Sequence, residues 1–118
     1  MSERPTITID DVPETVRVVH AGVVLAESLR ARVLREGSLL PRWYIPREDV
    51  RVELVSSQKH SVCPWKGQAS YYGVRIGDTI LQDLIWYYLE ATPETKKIEN
   101  YLCFYNEKVD KIEVTDEV

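Results

Sequence analysis

The chain has 118 residues, 44 % hydrophobic and 29 % charged, with a formal net charge of −4 at neutral pH. That length suits one domain with a real core and no disulfide staples, and no apolar run approaches the length of a membrane span. The acidic balance offers no basic field to a polyanionic backbone, so neither nucleic-acid binding nor membrane insertion is expected.

Residues 1–14 lack the basic flank and apolar stretch of a secretory signal, which points to a cytoplasmic protein. Cys63 and Cys103 are the only cysteines and neither sits in a Cys-x-x-Cys pair, as suits free thiols in a reducing compartment. His20 and His60 would have to complete any four-ligand zinc site without close ligand pairs, so no metal or other cofactor is expected.

In chain order, "VRVVHAGVVLAES" holds two β-branched runs around Ala21-Gly22, predicting a hairpin with strands near 16–20 and 23–27. The apolar run 31–34 ends at Glu36-Gly37-Ser38, and Trp43-Tyr44-Ile45 has strong β-propensity before Pro46; both read as strands. Pro46 can start a single helical turn, after which Val50, Val52 and Leu54 alternate with Arg51 and Glu53 as a half-buried strand. In "ASYYGVRIGDTILQDLIWYY", Gly77-Asp78 joins two strands, and a third element follows at 84–88. Thr92-Pro93 reads as a cap with proline at the first helical position, so one short helix is expected near 93–101. A terminal strand carries Val109, Ile112 and Val114, and residues 115–118 are expected to fray. With no repeat or linker, this predicts a mainly β chain: a single compact antiparallel sandwich or open barrel spanning 1–118.

The stretch "HSVCPWKGQASYY" concentrates the chemistry. Pro64 and Gly67 restrict and release the backbone respectively, so Cys63 to Gly67 form a rigid bend that holds side chains reproducibly. Lys66 and His60 each lie three residues from Cys63, so either cation can lower the thiol pKa if the loop folds back; alternatively Cys63 simply packs inward. Lys66 is either an anion-binding or catalytic amine, or a surface lysine on a turn. The aromatic runs Trp43-Tyr44, Trp65, Tyr71-Tyr72 and Trp86-Tyr87-Tyr88 each send neighbouring rings to opposite faces of a strand, half to the core and half to a concave pocket. Asp49 either caps the turn after Pro46 or orients a lysine, and Ser28 is first a cap residue. Arg47 and Glu48 read as a solvated turn. Phosphate-binding glycine loops, paired metal carboxylates and a Ser-His-Asp order are all missing from the sequence.

The blocks "AES" (26–28), "WYIPREDVR" (43–51), "CPWKGQASYY" (63–72), Trp86-Tyr87-Tyr88 and "FYNEKVD" (104–110), in that order, resemble the DUF427 family, a domain of unknown function. The resemblance covers about residues 16–112. It implies a β-tent, or Mss4-like, architecture of antiparallel sheets meeting at an angle, in a metal-free version because the Cys-x-x-Cys pairs of many β-tent relatives are absent. The family label also carries the word nucleotidyltransferase, whose glycine-serine loop and metal-binding aspartates are absent here. Tyr44, Pro46, Asp49, Cys63, Lys66, Gly67, Ala69, Tyr71, Trp86 and Tyr88 match the family pattern, whereas Glu27, Trp65 and Leu84-Ile85 depart from it.

The expectation is therefore a small-molecule site in which Cys63 or Lys66 acts on a ligand held by Tyr44, Asp49, His60, Trp65, Tyr71, Trp86 and Tyr88. The alternative is a non-enzymatic module that binds a small ligand or peptide on the same surface. A third reading is a protein-interaction domain using a sheet edge.

Overall fold

Alternation of inward and outward side chains along the β-branched and aromatic runs produces ten strands among residues 6–116, the part of the chain that the computed structural model describes. They are β1 (Ile7–Asp11), β2 (Thr15–His20), β3 (Val23–Ser28), β4 (Arg32–Glu36), β5 (Arg42–Ile45), β6 (Glu53–Cys63), β7 (Gly67–Ile76), β8 (Thr79–Ala91), β9 (Leu102–Phe104) and β10 (Lys111–Thr115). Seven form one antiparallel sheet in the order β1-β4-β5-β9-β8-β7-β6, and three form a second, β10-β2-β3. The chain is thus mainly β, with two antiparallel sheets.

Turn chemistry accounts for two hairpins. Ala21 and Gly22 take φ of 52° and 75°, the left-handed pair that a two-residue connection between twisted strands requires. Between β7 and β8 Gly77 alone takes the left-handed region, at φ 59°.

The structure departs from the sequence reading in several places. β1 lies where no strand was expected, pairing with β4 from Ile7↔Glu36 to Asp11↔Arg32. Val50 and Val52 precede the strand rather than belong to it: after the 3-10 turn Arg47–Asp49 the chain crosses to the edge of β3, where Val50 bridges Ala26 and the Arg51 amide donates to the Leu25 carbonyl at 2.8 Å. Residues 79–91 are one long strand, not a strand and a further element. The expected helix is instead 3-10, Pro93–Ile98, kinked at Thr95. Its buried residues, Thr95 and Ile98, are three apart, a spacing that eclipses at three residues per turn and so favours the tighter helix. Of the tail expected to fray, Thr115 closes β10 opposite Thr15, and residues 117–118 lie outside the described range.

The period of two along each strand of the larger sheet divides its side chains between two buried layers. Val33, Ile45, Val74, Ile85, Leu102 and Phe104 meet Val16, Val18, Leu25 and Ala26 of the smaller sheet. Their immediate neighbours Leu34, Tyr44, Trp86 and Cys103 face the other way, with Ala69, Tyr71 and Tyr88, and are closed at one end by Ile98 and Ala91. Each aromatic run is split in this manner. Tyr72 and Tyr87 stack at 4.8 Å on the face opposite Tyr71, Trp86 and Tyr88.

Two bulges flank the middle of β7. Between Ser56 and His60 β6 carries extra residues, and between Leu81 and Ile85 so does β8. The Ser57 hydroxyl donates to the Asp83 carboxylate at 2.5 Å, joining the two bulges across β7, and Asp83 adopts φ 52°. Gly73 lies at this crossing, where a β-carbon would stand 2.7 Å from the Leu81 carbonyl oxygen.

Candidate functional site

The bend at 64–66 is built as its residue types dictate. The Lys66 amide donates to the Cys63 carbonyl at 3.2 Å, and Gly67 takes φ 114°, where an added β-carbon would lie 2.9 Å from the Glu90 carbonyl oxygen. The hydroxyl of Thr92 donates to the Trp65 carbonyl at 2.7 Å, and its amide to that of Lys66 at 3.2 Å. The turn is therefore fastened to the end of β8, and Lys66 is directed over the sheet face that carries the aromatic layer. There its Nζ meets Glu36 Oε1, at the end of β4, at 2.6 Å, with the two side chains only 11 % and 14 % exposed.

This ion pair forms part of the wall of a cleft of about 390 Å³ between the sheet face and the connection from β4 to β5. Leu34, Ala69, Tyr44, Tyr71, Trp86 and Tyr88 supply the sheet side, and Ser61, Arg42 and Tyr105 also border it. Leu39 and Leu40, 66 % and 59 % exposed, form an apolar lip. Trp86 is fixed from three directions. Its indole N–H donates to the Tyr44 hydroxyl at 3.0 Å, the Tyr105 ring lies 4.5 Å away, and the Arg42 guanidinium sits 5.2 Å over its face. Arg42 is itself clamped by both carboxylate oxygens of Glu107, at 2.7 and 3.0 Å.

Burial keeps the phenols of Tyr44, Tyr88 and Tyr105 protonated. Burial pushes Tyr44 well up, and it pushes Tyr88 up with help from Cys63, Cys103, Tyr71 and Glu36 nearby. Tyr105 is pushed up to about 12 by burial and by its hydrogen bond with Tyr71. Tyr71 in turn shares a 2.8 Å hydrogen bond with Ser61. Beneath the rings, burial drives the Cys103 thiol well above its ordinary range. The Arg42 clamp holds Glu107 at about 2. The cleft thus presents neutral O–H groups, an ammonium and a guanidinium, with Glu36 as the carboxylate that borders it.

Of the residues singled out in the sequence, Tyr44, Lys66, Tyr71, Trp86 and Tyr88 come together around this cleft. Cys63 is half-buried and packs against the same aromatic layer without bordering the cleft, and Trp65 stays in the bend. His60 and Asp49 lie elsewhere. His60 is adjacent to Ser61, which borders the cleft, so strand alternation turns it to the opposite face, where its Nδ1 is 3.3 Å from the Ser70 hydroxyl. Asp49 accepts the Ser28 hydroxyl at 2.6 Å and the Arg30 guanidinium at 3.3 Å, locking the end of β3 to the turn after Pro46. Its place is in a separate, open groove with Arg17, Glu27 and Arg51.

Glu36, Arg42, Ser61 and Tyr105 complete the cleft and were not anticipated. For two of them a signal existed, since Glu36 is two residues from Leu34 and Arg42 two from Tyr44, so each shares a strand face with a residue of the aromatic layer. Among the described residues, no group of three or more His, Cys, Asp or Glu is placed to hold a metal ion. No helix among them is long and apolar enough to cross a membrane.

A family model described as Domain of unknown function (DUF427) matches residues 8–115, and no curated protein matches the sequence. The match takes in every strand of both sheets except the first residue of β1, and every residue that borders the cleft. The chain belongs to the DUF427 family.

Proposed function

We propose that the cleft over the aromatic layer is a reversible binding site for a small molecule. The observation that carries this reading is the Lys66–Glu36 pair, held at 2.6 Å and largely buried beside Trp86, Tyr88 and Tyr71. Burying two charges against aromatic rings brings little net stability compared with apolar packing, so such a pair is more readily accounted for by a polar ligand group that it meets. A cleft of about 390 Å³ is at the lower end of the range that encloses metabolite-sized ligands, and its lining combines apolar rings with a few convergent polar atoms. Binding is favoured over thiol chemistry because the Lys66 ammonium is engaged by Glu36 and Cys63 does not border the cleft. The two-sheet arrangement fits the β-tent shape, and two free cysteines fit a cytoplasmic setting.

The test is a fragment screen by protein-observed NMR on the wild-type protein and on Ala69→Leu, which places a branched side chain into the cleft. Fragments that shift the Trp86 indole N–H and the amides near Lys66, and that no longer do so in Ala69→Leu, support the site. Fragments that bind Ala69→Leu equally well, or that cluster on the Tyr72–Tyr87 face, refute it.

A further inference from the structure

Two phenols that border the cleft keep hydrogen-bonding capacity that no described residue uses. Tyr44 is fully buried, and its oxygen accepts the Trp86 indole N–H, but its own O–H has no acceptor among the described residues. Tyr88 is 4 % exposed, and its hydroxyl has no hydrogen-bond partner among the described residues. The Tyr88 hydroxyl is not among the buried polar atoms left without a partner, so it is reached from the cleft, and a ligand oxygen lying there can accept from it.

What accepts from them is narrowed by the chemistry around them. Both phenols are donors at neutral pH, because burial raises both. Lys66 has three N–H donors, and Glu36 Oε1 is its hydrogen-bond acceptor. Donors therefore outnumber acceptors at this end of the cleft, which calls for an oxygen-rich group of low charge. A planar carboxylate meets that description with two oxygens and one negative charge, whereas a doubly charged phosphate would face two neutral phenols and an ammonium already shared with Glu36. Further along, Trp86, Tyr105, Leu39 and Leu40 offer a flat apolar wall and lip.

Resting on the binding reading above, we propose that the cleft selects small aromatic or bulky apolar carboxylic acids, the carboxylate accepting from Tyr88, Tyr44 and Lys66 while the body lies against Trp86 and Tyr105. The Glu36 carboxylate keeps Lys66 oriented and repels a second negative charge, so mono-acids are preferred to di-acids.

Matched probes test this on the full chain: phenylacetate and 3-phenylpropionate, their primary amides, and phenyl phosphate, titrated by NMR and calorimetry. The acids are expected to bind about tenfold more tightly than the amides, the scale of one hydrogen bond to a charged acceptor. Tyr88→Phe removes only an unpartnered oxygen, so it is expected to melt at the same temperature or higher while losing most of the preference for acid over amide. Acids and amides binding the cleft alike would overturn the acid selection and leave the binding site standing. Phenyl phosphate binding more tightly than either acid would also overturn it. If no probe perturbs the cleft and the fragment screen is blank as well, both readings fall. A Tyr88→Phe protein that melts several degrees lower, with the acid preference intact, would make the hydroxyl internal structure and refute its role.

Discussion

Replacing Lys66 with methionine keeps most of the stem and removes the charge, which isolates what the ion pair contributes. In the native protein Nζ and Oε1 are 2.6 Å apart, and the side chains of Lys66 and Glu36 are 11 % and 14 % exposed. The substitution strands the Glu36 carboxylate against Leu34 and the aromatic rings. Stranding one partner of a fully buried pair costs about 3–5 kcal/mol, and one of an exposed pair about 0–1 kcal/mol. The residual exposure puts Lys66→Met at about 2–3 kcal/mol, which for a chain of this size lowers the melting temperature by roughly 8–12 °C. Adding Glu36→Gln should recover about 1–2 kcal/mol, because the amide needs no counter-charge. A double-mutant cycle by urea unfolding measures the coupling, with Arg30 and Glu48, 59 % and 65 % exposed, as the surface comparison expected to stay within about 0.5 kcal/mol. The reasoning is refuted if Lys66→Met costs less than about 1 kcal/mol, or if the double variant is less stable than the single one.

Gly73→Ala should cost about 2–3 kcal/mol in chemical unfolding, because the new methyl would stand 2.7 Å from the Leu81 carbonyl. Gly22→Ala, with open space around it and φ 75°, should cost only about 1 kcal/mol. Folding raises the pKa of Tyr44, Tyr88 and Tyr105, so their contribution to stability is whole below the ordinary tyrosine value of 10.0. It should decline as pH climbs from there towards the folded value of about 12 for Tyr105; a phenolate absorbance titration should show an exposed class first and these residues later, in step with loss of β structure. Alkylation followed by mass spectrometry should modify Cys63, which is half-buried, in the native protein, and Cys103, fully buried, only as the chain unfolds. Equal rates at the two thiols would contradict the packing of the aromatic layer.

Strand identity and the splitting of the aromatic runs were legible because a period of two and the Ala21-Gly22 and Gly77-Asp78 turns are local signals. The bend at Cys63 to Gly67 was legible for the same reason. The meeting of Glu36 with Lys66 was not, because only the pairing of distant strands joins these two residues, thirty apart in sequence. His60 and Asp49 show the converse: strand alternation turns His60, a neighbour of the motif along the chain, to the other face, and Asp49 ends in a separate groove just before the crossing at Val50. The 3-10 form of Pro93–Ile98 was hidden because proline and helix formers mark a helix start without setting its pitch, which the buried Thr95 and Ile98 decide.

The bulge at Asp83 has a bearing on which length changes the protein can accept. Leu81 pairs with Val74 and Ile85 with Tyr72, so between these pairs β8 holds three residues where β7 holds one, an excess of two. Because the excess is even, the two halves of β8 stay in phase, and Leu81 and Ile85 pack towards the same core. Losing one residue at 82 or 83 would put the halves out of phase, turning Trp86 and Tyr88 towards the smaller sheet and delivering Tyr87 to the cleft. Losing both would shorten the detour and leave every ring on its present side. Insertions and deletions at this point should therefore be tolerated in twos and rejected singly, which makes the parity of one surface bulge a guardian of the binding face several residues further on.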